Sequence, residues 1–349
     1  MHAQIRTVAL AAIVSFALLP VAAHADGPIA MPVEGATGTI MYVLPDAGYQ
    51  TQNMPKFQTG STAFGSGTPF FTNSPHATGG AGGLTAGFFL PSGWPQFGQN
   101  ARLELSADFF DLNDATSNNY PGGTAFGSQW VYIGGQSFTS ATDGVYGNTL
   151  KTEYQGFELA LRAATDIQAM PNLSVTPAVA IFGGNSYGTF DYGDVEQCTT
   201  PGCFFEYSRE AVRTYRFGST VSLGARSPIG AGFAVIGGVS GSLYGAWSHL
   251  SGNDCYSVTA GLSCDSAGHV ESFVSNSKGT AGGRLGAQAG LQYNPGWMAV
   301  GLIGGFSWDS AVPGVANPVA AGQTAVVNYS DELAYSIRLQ FTFPFGGSR

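Results

Sequence analysis

Leu333-Ala334-Tyr335-Ser336-Ile337-Arg338-Leu339-Gln340-Phe341-Thr342-Phe343-Pro344-Phe345 is the stretch on which the fold turns. Its odd positions are all apolar, and its even positions are small or polar, with a single charge at Arg338. Strict alternation is the mark of a strand with one oily and one wet face. A soluble strand is typically about 5–6 residues long, whereas a tilted strand needs about 9–11 to cross a bilayer. The length of this run therefore favours a membrane-spanning strand.

The same two-faced pattern recurs upstream. Leu103, Leu105, Ala107 and Phe109 oppose Arg102, Glu104, Ser106 and Asp108; Phe157, Leu159, Leu161 and Ala163 oppose Glu158, Arg162 and Asp166. Alternation also marks 215–226, where Arg216 and Arg226 share the polar face, and 233–248 and 284–293, the last with Arg284 on its polar face. Weaker strands fit 37–44, 84–90, 173–182 and 297–308, although Pro177 interrupts one of them. Connections alternate short and long, as they do when tight turns lie at one end of a barrel and long loops at the other. The count is about ten strands. A strand-like segment from Trp130 to Gln136 would raise it to about twelve if it spanned with a partner. The long connections are acidic, carrying Asp111, Asp114, Asp143, Asp191, Asp194, Glu196, Glu206, Asp254, Asp265 and Asp309. Trp94, Tyr154, Tyr215, Trp247, Tyr293, Trp297, Trp308 and Phe345 sit near strand ends, where aromatic girdles belong.

The first residues read as an export signal. Arg6 precedes an apolar run from Val8 to Ala23, and Ala23-His24-Ala25 is a small-x-small cleavage site. The expected organisation is a cleaved signal over 1–25 and one barrel domain over 26–349. Beyond the signal, Gly, Ser or charge breaks every apolar run before it reaches the ~20 residues that a spanning helix needs. Only a closed barrel can then cross a membrane, because lipid satisfies no open sheet edge. Charged residues at 10 % and aromatics at 13 % exclude a disordered chain, and 51 glycines without a strict period exclude collagen. A net charge of −9 with 13 basic residues argues against nucleic acid, whose phosphates need basic patches. The cysteines form two local pairs, Cys198 with Cys203 and Cys255 with Cys264. In an exported chain such pairs are expected as disulfides, and neither has the spacing of a zinc site.

On the final run, Tyr335 to Phe345, the chain resembles outer-membrane β-barrel proteins of the porin-like kind. The resemblance implies an all-β, antiparallel up-and-down transmembrane barrel in a Gram-negative type cell outer membrane. It also implies that the aromatic last strand is read by the barrel assembly machinery. The chain departs from the pattern in carrying Gly346-Gly347-Ser348-Arg349 after the last aromatic.

If the apolar faces meet lipid, Arg102, Arg162, Arg216, Arg226, Arg284 and Arg338 face the lumen, with Glu104, Asp108, Glu158 and Asp166 among them. Charged rings of this kind set selectivity in pores. The expected function is therefore a passive channel for small hydrophilic solutes or ions, surrounded by outer-membrane lipids and open to oligomer formation. The alternative is a closed, non-conducting barrel that displays disulfide-stapled loops for surface interaction, its lumenal charges paired with one another. A third reading is a hydrolase at the rim, built from Ser248, His249 and Asp254. The sequence favours no enzyme, and it contains no phosphate loop or metal motif, so no cofactor is expected.

Overall fold

The computed structural model describes residues 41–61, 69, 71–90, 100–124, 129–133, 136–140, 145–196, 205–257 and 269–345. In chain order its strands are β1 (Met41–Asn53), β2 (Phe57–Thr59), β3 (Phe71–Asn73), β4 (His76–Phe89), β5 (Arg102–Thr124), β6 (Gln129–Ile133), β7 (Gln136–Ser140), β8 (Val145–Ala164), β9 (Ile167–Met170), β10 (Leu173–Glu196), β11 (Phe205–Gly230), β12 (Phe233–Ser257), β13 (His269–Tyr293), β14 (Ala299–Ala316) and β15 (Val326–Phe345). Ten of them form one antiparallel wall in the order β1-β4-β5-β8-β10-β11-β12-β13-β14-β15. The wall closes where β15 pairs with β1, Phe345 opposite Met41 and Ala334 opposite Gln52. The fold is an up-and-down transmembrane barrel of ten strands, with β9 added beside β10 near a turn. The Trp130–Gln136 segment does not span. It belongs to a separate hairpin, β6 paired with β7, so the count is ten and not twelve.

Alternation explains the wall. Leu103, Leu105 and Phe109 on β5, Leu159 and Leu161 on β8, Phe217, Val221 and Leu223 on β11, and Tyr335, Ile337 and Leu339 on β15 all face outward and exposed. So broad an apolar band is a liability in water and is stable against lipid tails. Tyr215, Trp247, Tyr293, Trp297 and Phe345 are exposed near its edges, as expected of girdles. Tyr154 is not one of them; it is fully buried inside the barrel. Tight turns join β11 to β12 through Gly230, Ala231 and Gly232, all at positive φ, and β13 to β14 through Gly296. These turns lie at the end where β1 begins and β15 stops. Pro177 costs little, because the β8–β10 ladder starts only at Ala178 and the carbonyl of Pro177 still accepts from the Thr165 amide.

The wall is uneven in height. β10, β11, β12 and β13 have 24, 26, 25 and 25 residues, whereas β1 and β4 have 13 and 14. The long strands therefore rise far beyond the band, and segments expected as loops are strand. Asp111 and Asp114 lie on β5, Asp191, Asp194 and Glu196 on β10, Glu206 on β11, Asp254 on β12 and Asp309 on β14. Asp143 and Asp265 lie outside the described residues, as do residues 1–40, Trp94, Cys198, Cys203, Cys264 and 346–349. Cys255 is buried and disulfide-bonded.

On one side the wall is incomplete. β13 pairs with β14 only from Arg284–Asp309 to Tyr293–Val300. Beyond that point β14 and β15 pair with each other, from Val312–Ser330 to Ala316–Val326. Five consecutive residues, Ala311 to Val315, are buried together, which no half-exposed strand allows. This hairpin tip folds inward, and the β2–β3 hairpin joins it at the mouth. Met54, Phe57 and Phe71 pack there with Leu112, Leu150, Tyr154, Phe190, Tyr192, Val212, Leu250, Val315 and Val327 in one apolar core.

Candidate functional site in the lumen

All six arginines expected to face the lumen do so. Arg102, Arg216, Arg226, Arg284 and Arg338 are buried and Arg162 is half-buried. Their positions follow from strand period: each shares a face with the small or polar residues two steps away. What the sequence does not show is their partners, which form three tiers.

In the tier nearest the turns, Glu104 binds two arginines. Arg102 Nε lies 2.7 Å from Glu104 Oε1 and Arg162 Nη1 lies 2.9 Å from Oε2. Tyr42 donates its hydroxyl to the same carboxylate, and Arg102 Nη1 reaches Asp166 at 2.8 Å. Arg226 donates to Gln292 Oε1 at 3.1 Å. Tyr42 fits this position because Gly87 has no side chain; a Cβ there would stand 2.2 Å from the ring. In the middle tier Arg338 Nη1 bridges Asp46, at 2.9 Å, and Asp108, at 3.2 Å. In the tier nearest the mouth Arg284 reaches Glu158 at 3.2 Å. Arg216 and Arg284 both lie 3.6 Å from Asp309 Oδ2, ion-pair distance rather than a hydrogen bond. Tyr244 donates to Asp309, and both guanidinium groups lie against its ring. Arg216 also donates to the Ala311 carbonyl at 3.3 Å, tying the inward hairpin tip to the opposite wall.

Burying so many charges is tolerable only because each meets an opposite charge or a dipole. Asp46 and Asp309, which the sequence pattern placed in loops, supply part of that compensation. Extending the alternation of β1 from Tyr42 through Leu44 to Asp46 is the signal that could have found the first of them. The lumen keeps a cavity of about 60 Å³ lined by residues including Ser106, Ser222, Gly238, Ser240, Gly286 and Arg338. At roughly 10–15 Å³ per water it holds a few solvent molecules.

Above the band the interior turns acidic. Thr59 of β2 donates to Glu206 at 3.1 Å, Ser208 to Asp254 at 2.6 Å, and Asn317 to Glu210 at 2.9 Å. Burial pushes the Glu210 carboxyl well up, with Asp254 nearby adding to the effect. Burial likewise raises Asp254 from 3.8 to about 6.

The rim constellation does not assemble. Ser248 is fully buried and faces inward, bonded to Thr214 and Tyr329. Its neighbour His249 faces outward, 2.9 Å from Ser277. Adjacent residues of a strand point to opposite faces, so this serine and histidine cannot form a nucleophile–base pair. Among the described residues no cluster of three His, Cys, Asp or Glu side chains is arranged to hold a metal ion.

No family model and no curated protein sequence matches the chain. Solved structures do. The outer membrane protease OmpT from Escherichia coli shares 8 % identity, with 92 % of this chain and 100 % of that one covered and a TM-score of 0.43. The COG4313 outer membrane channel from Pseudomonas putida F1 shares 9 % identity over 90 % of this chain and 100 % of its own, at a TM-score of 0.33. A Pseudomonas aeruginosa FadL homologue shares 8 % over 88 % and 90 %, at 0.25. These are outer-membrane β-barrels, and the likeness is one of fold.

Proposed function

We propose that this chain is an outer-membrane barrel that is closed at rest and acts from its tall extracellular wall and mouth, not as a passively open porin. The observation that carries this reading is the occupied lumen. Three tiers of ion pairs and an apolar plug lie along the path that a solute would follow, and the cavity between them is only about 60 Å³. Water-filled porins use 16–18 strands; at about eight, side chains fill the interior, and ten strands stand near that limit. Function on display suits a rigid scaffold with projecting segments. The assembly machinery would read the β15 strand, and cleavage after Ala25 would precede insertion.

A second reading, a gated channel, is favoured by the plug itself, since β2–β3 hangs from one loop and can in principle leave. Planar-bilayer recording separates the two. Wild-type protein that gives discrete conductance steps overturns the closed reading. Deleting 57–73 is structurally gentle, because the Met54 amide already bonds the Pro75 carbonyl at 2.9 Å. Steps that appear only in the deletion variant establish the gated channel.

A further inference from the structure

The upper half of β13 has an empty edge. The β12–β13 ladder runs without a register shift from Phe233–Tyr293 up to Ser257–His269, whereas the β13–β14 ladder stops at Arg284–Asp309. Among the described residues no strand pairs with that side of β13 between 269 and 283. A free edge of this length is a template for another strand. The strand that fits it adjoins it. The β13–β14 register, carried past Arg284–Asp309, sets Gly283 opposite Ser310, Ala281 opposite Val312, Gly279 opposite Gly314 and Ser277 opposite Ala316. Over those residues β14 is still a strand and still paired with β15, but it turns into the lumen.

The wall position is prepared for it. The Gly283 amide points at β14 and donates to Ser310 Oγ at 2.7 Å, so a side chain stands where a main-chain carbonyl would continue the ladder. Alternation then directs the backbone groups of Ser310, Val312, Gly314 and Ala316 to β13 and those of Pro313 to β15. The donor that proline lacks is therefore not one that β13 needs. Residues 279–283 of β13 carry side chains only at Thr280 and Ala281, which leaves room for Val312 and Val315. The β14–β15 ladder shifts register between Asp309 and Val312; a bulge bends its strand, and this one marks the hinge.

The inward position is held by burial and side chains instead of rungs. Arg216 donates to the Ala311 carbonyl at 3.3 Å, Asn317 to Glu210 at 2.9 Å, and the Val327 amide to Asn276 Oδ1 at 3.2 Å. Val312 and Val315 are enclosed. The wall position exchanges these contacts for main-chain pairing with β13. We propose that the β14–β15 tip is a two-position gate: inward it belongs to the plug, and outward it zips onto β13 and raises the short side of the wall. The inference deepens the reading of a mouth closed at rest, and rests on it in taking the inward position as the resting one. Conductance through the wild type would overturn that reading, whereas a cross-link reports on the tip alone.

The test is a disulfide that only the outward position allows. At rest Ala281 is exposed on the outer face and Val312 is fully buried within. Ala281→Cys with Val312→Cys, folded into phosphatidylcholine vesicles and checked by a heat-shifted gel band, is expected to link under mild oxidant, read as a joined peptide by mass spectrometry. Ser277→Cys with Val312→Cys is out of register by about 14 Å, beyond the roughly 7 Å reach of a disulfide, and should stay open. Asn317→Ala removes a bond that holds the tip inward and should speed the in-register link about fivefold, the worth of one hydrogen bond. If Val312→Cys gives no folded band, Ser277→Cys with Ala316→Cys is the in-register pair outside the core, with the same acceleration expected from Asn317→Ala. No link between in-register cysteines of a folded barrel overturns the proposal. So does equal linking in and out of register, the mark of a loose tip that never zips, or a rate that Asn317→Ala leaves unchanged.

Discussion

Glu104 shows what a single lumenal residue carries. Its two oxygens hold Arg102 and Arg162, and it also accepts from Tyr42. Removing one partner from a buried pair costs about 3–5 kcal/mol, because the remaining charge keeps its desolvation penalty without its attraction. Glu104→Ala should lose about that much in urea unfolding from detergent, while Thr116→Ala on the far end of β5 should lose little. A second residue-scale prediction concerns pH at the mouth. The folded Asp254 carboxyl titrates near 6 against an ordinary 3.8. Between those values the folded state binds more protons than the unfolded one, so the stability that Asp254 contributes falls as pH rises through the window, and Glu210, pushed well up by burial, carries the fall to higher pH. Amide exchange of the plug residues should slow as pH drops from about 6 towards 4, after correction for intrinsic rates; Asp254→Asn should weaken that dependence, and Asp254→Asn combined with Glu210→Gln should remove it. The arginines were legible at this scale because strand period alone fixes the face of Arg338 or Arg216. Their partners were not, because ion pairs such as Arg338 with Asp46 join opposite ends of the sequence.

At the scale of elements, the strands were readable and the plug was not. Each wall strand contains a run of alternation. The upper half of β14 loses it, since Ala311 to Val315 are enclosed on both faces. Met54, Phe57 and Phe71 sit in a short hairpin whose apolar residues have no period to betray where they go; only the fold supplies Phe190, Tyr192 and Leu250 as neighbours. Strand length was underestimated for a related reason. Above the band the outward face turns polar, as at Arg209 and Asp191, so the oily-and-wet contrast fades although the ladder continues. Phe57 is fully buried and lies against Phe71, Phe190 and Tyr192. Replacing a buried phenylalanine with a small residue costs about 3–5 kcal/mol. Here the cost should fall on the hairpin and not on the wall. Phe57→Ser is expected to open 54–75 to protease while the heat-shifted band of the folded barrel is kept.

The whole molecule depends on closure, and closure joins its first and last strands. β15 pairs with β14 along one edge and with β1 along the other. Its removal would leave two open edges inside the hydrocarbon, where each unsatisfied backbone group costs several kcal/mol. The sum exceeds the stability of an ordinary domain, about 5–15 kcal/mol. Deleting 333–345 should therefore abolish the folded band and membrane insertion altogether. Deleting 57–73, a longer excision, should spare both, since among the described residues β2 and β3 pair only with each other and no rung of the wall is lost. Equal damage from the two deletions would mean that the plug is needed to close the barrel. Survival of the first would mean that β14 and β1 can meet without β15. The contrast follows from the period-two run at the C-terminus. Its apolar face supplies the lipid contact, its backbone supplies the last ladder on each side, and Arg338 supplies the bridge from the wall to Asp46 and Asp108 within.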